Sequence, residues 1–395
     1  MTKRPWRLIV PLVAATALLA AACGDDGGTS SPTATEAGGA TAAEAPTTVR
    51  LGYFPNVTHA TAIVGTEKGI FAEKLGANKL DTKTFNAGPD VVTAILAGGL
   101  DASYIGPNPA INAFAQSNGE AIRIISGATS GGALLVVKPE INSAADLKGK
   151  KIASPQLGNT QDVALRYWLK QQGFKTDAQG GGDVSVVPQD NAQTLETFKS
   201  GAVQGAWVPE PWATRLIQEG GGKVLVDEKT LWPNGQFVTT HLIVSTKFLK
   251  NHPDAVKRLI EGQVAANDYI AKNPDDAKKV VNDGITKYTG KGIAPAVIDA
   301  AWKNLAFTND PVASSLIASA QHAEEVGLLK PTKLDGIYEL TILNTVLKTK
   351  LREYALNLRN AIAAGQAPGV ISAMKIIGEK VNRKGKFIRR CSKQL

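Results

Sequence analysis

The sequence runs to 395 residues, 43% hydrophobic and 20% charged, with two cysteines, four histidines and a formal net charge of +9. That length accommodates two lobes with separate cores, and the composition is that of an ordinary soluble globular protein. The charge is concentrated at the ends: ten Lys and Arg against Glu353 and Glu379 put 351–395 at +8, Lys3, Arg4 and Arg7 add three, and 23–350 stands at −2. The expected folded part has no cationic surplus, which excludes nucleic acid as its natural partner.

The chain opens on an export signal. Lys3, Arg4 and Arg7 precede an apolar run over 8–22, too short and alanine-rich for a secure membrane span. Leu19-Ala20-Ala21-Ala22-Cys23-Gly24 then resembles a bacterial lipoprotein box, with Ala20 where such boxes more often carry Leu. The expectation is a signal peptide over 1–22 and a lipid on Cys23; the alternative is an ordinary cleaved signal with an incidental cysteine. Cys391 lies at the far end, so no structural disulfide is expected. Residues 23–48, rich in Gly, Ser, Thr, Pro and Ala, read as a disordered tether.

From Val49 the pattern alternates. Strands are expected at 49–53, 80–85, 102–105, 122–126, 133–137, 151–154, 184–187, 206–208, 224–226 and 237–245. Helices are expected at 60–69, 91–97, 109–117, 161–172, 192–199 and 211–219. Beyond 246 only helices are expected, at 255–271, 274–281, 294–305, 312–325 and 337–348. Alternating strands and helices indicate an α/β fold with ligands at the carboxyl ends of the strands. The extended runs at 133–137 and 237–245 suggest two hinge crossings between lobes, with 49–136 and 241–350 as lobe I and 137–240 as lobe II.

Three strand-to-helix corners carry candidate binding residues. The first supplies Asn56, Thr58 and His59 and the second Gly106, Pro107 and Asn108, with Asn108 read as an N-cap and Pro109 as the first helical residue. The third, in the other lobe, supplies Asn159, Thr160 and Gln161, with the N–H groups of Thr160 and Gln161 expected to point outward. Unpaired N–H groups at helix starts attract anions, and hydroxyl and amide side chains without Lys or Arg suit a weakly hydrated anion or zwitterion. Ser130 and Gly131 lie in a small-residue segment that reads as hinge or contact. Trp207 and Glu210, in Trp207-Val208-Pro209-Glu210-Pro211-Trp212, could wall a pocket and pair with a cationic group. In the plainer reading Trp212 is core and Glu210 solvated. No metal spacing joins His59, His241, His252 and His322, and no nucleophile motif is present, so neither catalysis nor a cofactor or metal site is expected.

The stretches GYFPNVTHA (52–60), FNAGPDVVTAILAGGLDASYIGPNPAI (85–111), GATSGGALLVV (127–137), DLKGKKIASPQLGNTQD (146–162) and GAWVPEPWA (205–213) resemble the solute-binding proteins of ABC importers for aliphatic sulfonates, nitrate and taurine. The resemblance implies a two-lobed type II periplasmic-binding-protein fold, each lobe a sheet flanked by helices. It implies ligand contacts from Asn56, Thr58, His59, Gly106, Pro107, Asn108, Ser130, Gly131, Asn159, Thr160, Gln161, Trp207 and Glu210. The implied protein is a monomer, lipid-anchored on the outer face of a bacterial membrane, that passes a small anionic organosulfonate-like solute to a permease and its ATPase. Relatives on this fold take nitrate, taurine, pyrimidine precursors or riboflavin, and others are biosynthetic enzymes, against which the export signal argues. The basic tail 351–395 departs from the family pattern and receives no function.

Overall fold

The computed structural model describes residues 44–363. The signal peptide, Cys23, the tether as far as 43 and the tail from 364 lie outside the described residues.

Four strands open the first sheet: β1 (Thr48–Tyr53), β2 (Lys79–Thr84), β3 (Ala102–Ile105) and β4 (Ile122–Gly131). The chain then builds a second sheet from β5 (Ala133–Val137), β6 (Lys151–Ser154), β7 (Ser185–Pro188), β8 (Gly205–Pro209) and β9 (Lys223–Asp227). It returns through β10 (Val238–Ser245) and β11 (Leu305–Phe307), giving the orders β11-β4-β10-β3-β1-β2 and β7-β6-β8-β5-β9. Sequence explains the places: β3 is buried along its whole length, as a central strand covered on both faces must be. The alternating charges of Lys79, Asp81 and Lys83 suit β2 to a solvated edge.

The helices are α1 (Ala60–Glu67), α2 (Ile70–Leu75), α3 (Gly88–Leu96), α4 (Pro107–Gln116), α5 (Thr160–Gln171), α6 (Asn191–Lys199), α7 (Trp212–Gln218), α8 (Thr246–Asn251), α9 (Pro253–Lys272), α10 (Pro274–Thr289), α11 (Pro295–Trp302), α12 (Ala313–Glu325) and α13 (Thr341–Ala363). Proline at the first position and aspartate in the first turn start α9 and α10, where a missing N–H costs nothing and the positive helix end favours a carboxylate. Val256, Leu259, Ile260 and Val264 then bury one stripe of α9 in the core of the first lobe.

The chain crosses between the sheets at Gly131 and Gly132, both with left-handed φ (81° and 76°), and returns before Val238. Pairing begins directly after each crossing, with β5 on β8 from Ala133 to Val137 and β10 on β4 from Val238 to Ser245.

Some expectations need correction. Strand β11 occupies Leu305–Phe307, where a helix had been expected to end; three residues are too few to show a period, and they pair with Thr129, Ser130 and Gly131. That pairing also extends β4 beyond 126. Helix α13 runs to Ala363 rather than stopping at 348, since no Gly or Pro interrupts it before Gly365.

Candidate functional site

Strands β1, β2 and β3 are parallel, so their carboxyl ends deliver Asn56, Asn86 and Gly106 to one edge. Strands β6, β7 and β8 do the same in the second lobe, delivering Asn159, Asp190 and Glu210. The two edges face each other. A Cβ built on Gly106 would stand 2.4 Å from Thr160 Oγ1, and one on Gly88 would come within 3.4 Å of Asn159 Oδ1. Across the same gap the Trp212 indole N–H donates to Asn56 Oδ1 at 2.9 Å. The Thr160 hydroxyl is buried and has no hydrogen-bond partner among the described residues, an arrangement that proteins rarely leave unused.

Beside these contacts lies a cleft of about 460 Å³ lined by both lobes, within the range of roughly 300–1,000 Å³ usual for small-molecule sites. Phe54, Phe85, Trp212 and Tyr288 give it aromatic walls, and Asn56, Asn86 and Asn191 give it carboxamides. Its charged residues balance: Asp190 and Glu196 against Arg215 and Lys291. Arg215 is already held by Glu219 in two hydrogen bonds (2.7 and 3.0 Å) while its guanidinium lies 4.8 Å from the Trp212 ring centre. This cleft suits a small solute with apolar surface and little net charge.

The model of the NMT1-like family matches residues 42–283. The chain belongs to that family. Relatives include a binding protein of Brucella abortus (strain 2308), 32% identical over 232 residues that cover 58% of this chain and 69% of that protein. The taurine-binding periplasmic protein of Escherichia coli (strain K12) is 28% identical over 205 residues, covering 52% of this chain and 61% of its own. Among solved structures, the alkanesulfonate-binding protein SsuA from Xanthomonas axonopodis pv. citri bound to MOPS matches with a TM-score of 0.61 at 20% identity. It covers 73% of this chain and 96% of that one, which establishes the periplasmic-binding-protein fold. By this kinship the NMT1-like chain is a solute-binding protein; the relatives and the structural neighbour named here are binding proteins and not enzymes. No helix among the described residues is long and apolar enough to cross a membrane.

Several predicted site residues serve the fold. Trp207 is fully buried among Leu135, Leu165 and Trp168, and its indole N–H donates to Glu228 Oε2 at 2.7 Å. Of the two tryptophans it is Trp212 that lines the cleft, although the plainer reading of the sequence put it in the core. Glu210 is also fully buried, and it accepts from Thr214 N, Thr214 Oγ1 and Asn304 Nδ2 (3.0, 2.9 and 2.6 Å). Burial pushes its carboxyl up and the three donors oppose that shift. Asn108 caps nothing: Gly106 is the N-cap, Pro107 the first helical residue, and Asn108 Nδ2 donates to the Ser319 carbonyl.

Thr160 N–H donates to Asn159 Oδ1 and so does not project freely, while Gln161 is buried. The Thr58 carbonyl accepts from Thr129 and Thr240, pinning the first corner to β4 and β10. His59 Nδ1 accepts from Phe54 N–H at 3.3 Å, and burial lowers its pKa to about 3, leaving a neutral ring. Ser130 and Gly131 end β4 at the crossing, where the Gly131 carbonyl accepts from Thr239 Oγ1. Phe85 and Asn86 were missed although their strand-to-helix corner carried the same signature as the others. Tyr288 and Lys291, in and after the last turn of α10, gave no local signal.

Three buried groups set an acid response. Burial also lowers His241 to about 4 and raises Glu228 to about 7. The depressed histidines contribute stability above about pH 6.5 that is lost as pH falls toward their folded values. Raised Glu228 contributes stability at low pH that is lost as pH rises through 7. Between about pH 6.5 and 4.5 the unfolded chain holds the protons that the two buried histidines refuse, Glu228 opposes them by holding its own in the folded chain, and these three groups together leave a net loss of stability on acidification. Glu228→Gln keeps an acceptor for one of the two indoles and, with the opposing carboxyl gone, should steepen that loss in denaturant titrations. An unchanged slope would remove Glu228 from the account.

Proposed function

We propose that the chain is the extracytoplasmic receptor of an ABC importer, tethered by a lipid on Cys23 and acting as a monomer. It captures a small organosulfonate-like solute between lobes 49–136 with 241–350 and 137–240, then presents the closed form to a permease driven by an ATPase. The carrying observation is the meeting of Gly106 and the unpartnered Thr160 hydroxyl from opposite lobes beside a cleft that both lobes line. Of the expected contacts, Asn56, Gly106, Pro107, Ser130, Gly131, Asn159, Thr160 and Gln161 lie on the facing edges or at the hinge. Solute binding supplies the differential affinity that shifts an open–closed equilibrium.

The balanced lining charges favour a zwitterion of the taurine type over a bare anion. The four aromatic rings support a second reading, a planar heterocycle such as a pyrimidine. Native mass spectrometry of freshly purified protein decides between them: a co-purified sulfonate supports the first, a co-purified heterocycle the second. Absence of a complex with either, together with no calorimetric heat from taurine, methanesulfonate, nitrate or a pyrimidine, sinks both.

Thr160→Ala is expected to weaken binding by about 1–2 kcal/mol through loss of one donor. Calorimetry with the best solute checks this, and unchanged affinity would take Thr160 out of the site.

A further inference from the structure

On the flank of the two lobes a second set of contacts joins them without lining the cleft described above. The Tyr167 ring, on α5 of the second lobe, stacks on His322 of α12 in the first at 3.6 Å and 12° between planes. Trp232, on the return crossing, meets the same imidazole at 5.5 Å and stacks on Phe237 at 5.7 Å. One turn along, Lys170 Nζ reaches both the carbonyl and the carboxylate of Glu325 (3.0 and 3.2 Å). Every one of the α5 contacts must separate if α5 and α12 move apart, whereas Trp232 travels with the crossing.

We propose that the Tyr167–His322–Trp232 stack, with Lys170–Glu325 beside it, is a latch that sets how much of the protein is closed before any solute arrives. It rests on the reading of the lobes as a closing receptor. The latch does not touch the solute; it acts because apparent affinity scales with the closed fraction.

The imidazole also makes the latch sensitive to acid. Tyr167 and Lys170 face it from α5, Glu228 stands behind Trp232, Glu324 and Glu325 lie on its own helix, and α4 brings no titratable group. Burial between the rings disfavours the charged imidazole, and Glu325 pulls more weakly the other way. An open form that returns His322 to water accepts the proton more readily, so acidification favours opening.

The test is small-angle X-ray scattering of the solute-free full chain at pH 7.5 and 5.5, for the wild type, Tyr167→Leu, His322→Gln and the surface variant Lys170→Ala. Circular dichroism establishes that each is folded. Expected are a more expanded profile in all three variants at pH 7.5, smallest in Lys170→Ala, and an acid expansion in the wild type that His322→Gln lacks. Affinity for taurine, methanesulfonate or nitrate, whichever binds, should fall about three- to tenfold in Tyr167→Leu through faster dissociation. Unchanged profiles in folded variants overturn the latch, and equal acid expansion in wild type and His322→Gln overturns its titration. If no solute binds, the receptor reading fails while the scattering still decides the latch. If the Tyr167 and His322 variants do not fold, Lys170→Ala decides alone.

Discussion

Gly106→Ala is expected to hold the lobes apart and to weaken solute binding at least tenfold, about 1.4 kcal/mol or more. The backbone at this position (φ −70°, ψ 161°) accepts any residue, so only space opposes the new methyl. That methyl would lie 2.4 Å from Thr160 Oγ1 and 3.6 Å from the Thr239 carbonyl oxygen. Closure therefore demands either a shift of Thr160 or a gap between the edges. Thr160→Ala in the same chain removes the obstructing oxygen and should return the scattering profile toward the closed form, although the lost hydroxyl still weakens binding. A single variant that binds and closes like the wild type would show that Gly106 and Thr160 do not meet during function.

Glu210→Ala should cost stability more than affinity. The carboxylate satisfies a backbone N–H, a hydroxyl and a carboxamide, all in a place without water access. Removing it strands those donors and leaves a cavity, for a loss of about 2–4 kcal/mol. Asn304 lies beside β11 in the first lobe and Glu210 starts the α7 corner in the second, so the variant also loosens the hinge. Denaturant unfolding should show the loss, with solute affinity reduced by less than the same free energy. A variant of native stability that has lost binding would instead make Glu210 a ligand contact.

Much of the fold was legible because local chemistry repeats it. Periodicity located ten strands within a residue or two of where they pair, β4 apart, since each buried strand is a short apolar run bounded by turn residues. The carboxyl-edge rule singled out the Asn56, Gly106 and Thr160 corners; Gly106 and Thr160 meet each other, and Asn56 meets Trp212. What it left open is which way a side chain at such a corner turns: Trp207 and Glu210 are buried and lie outside the cleft lining. Trp207 and Trp212 are five residues apart, and nothing in the string says which ring turns inward. Trp207 found an acceptor in Glu228, twenty-one residues away; Trp212 found one in Asn56, across the cleft.

The chain's own order of residues determined two α/β lobes, two crossings, a family and three helix-start corners, because strand period, proline and glycine placement, and caps all act over a few neighbours. Only the folded arrangement decided which carboxylates are buried braces, which rings line the cleft and which side chains of α5 and α12 touch. Those outcomes depend on pairings between residues far apart in the chain, and burial there reverses what the same side chain would do in water.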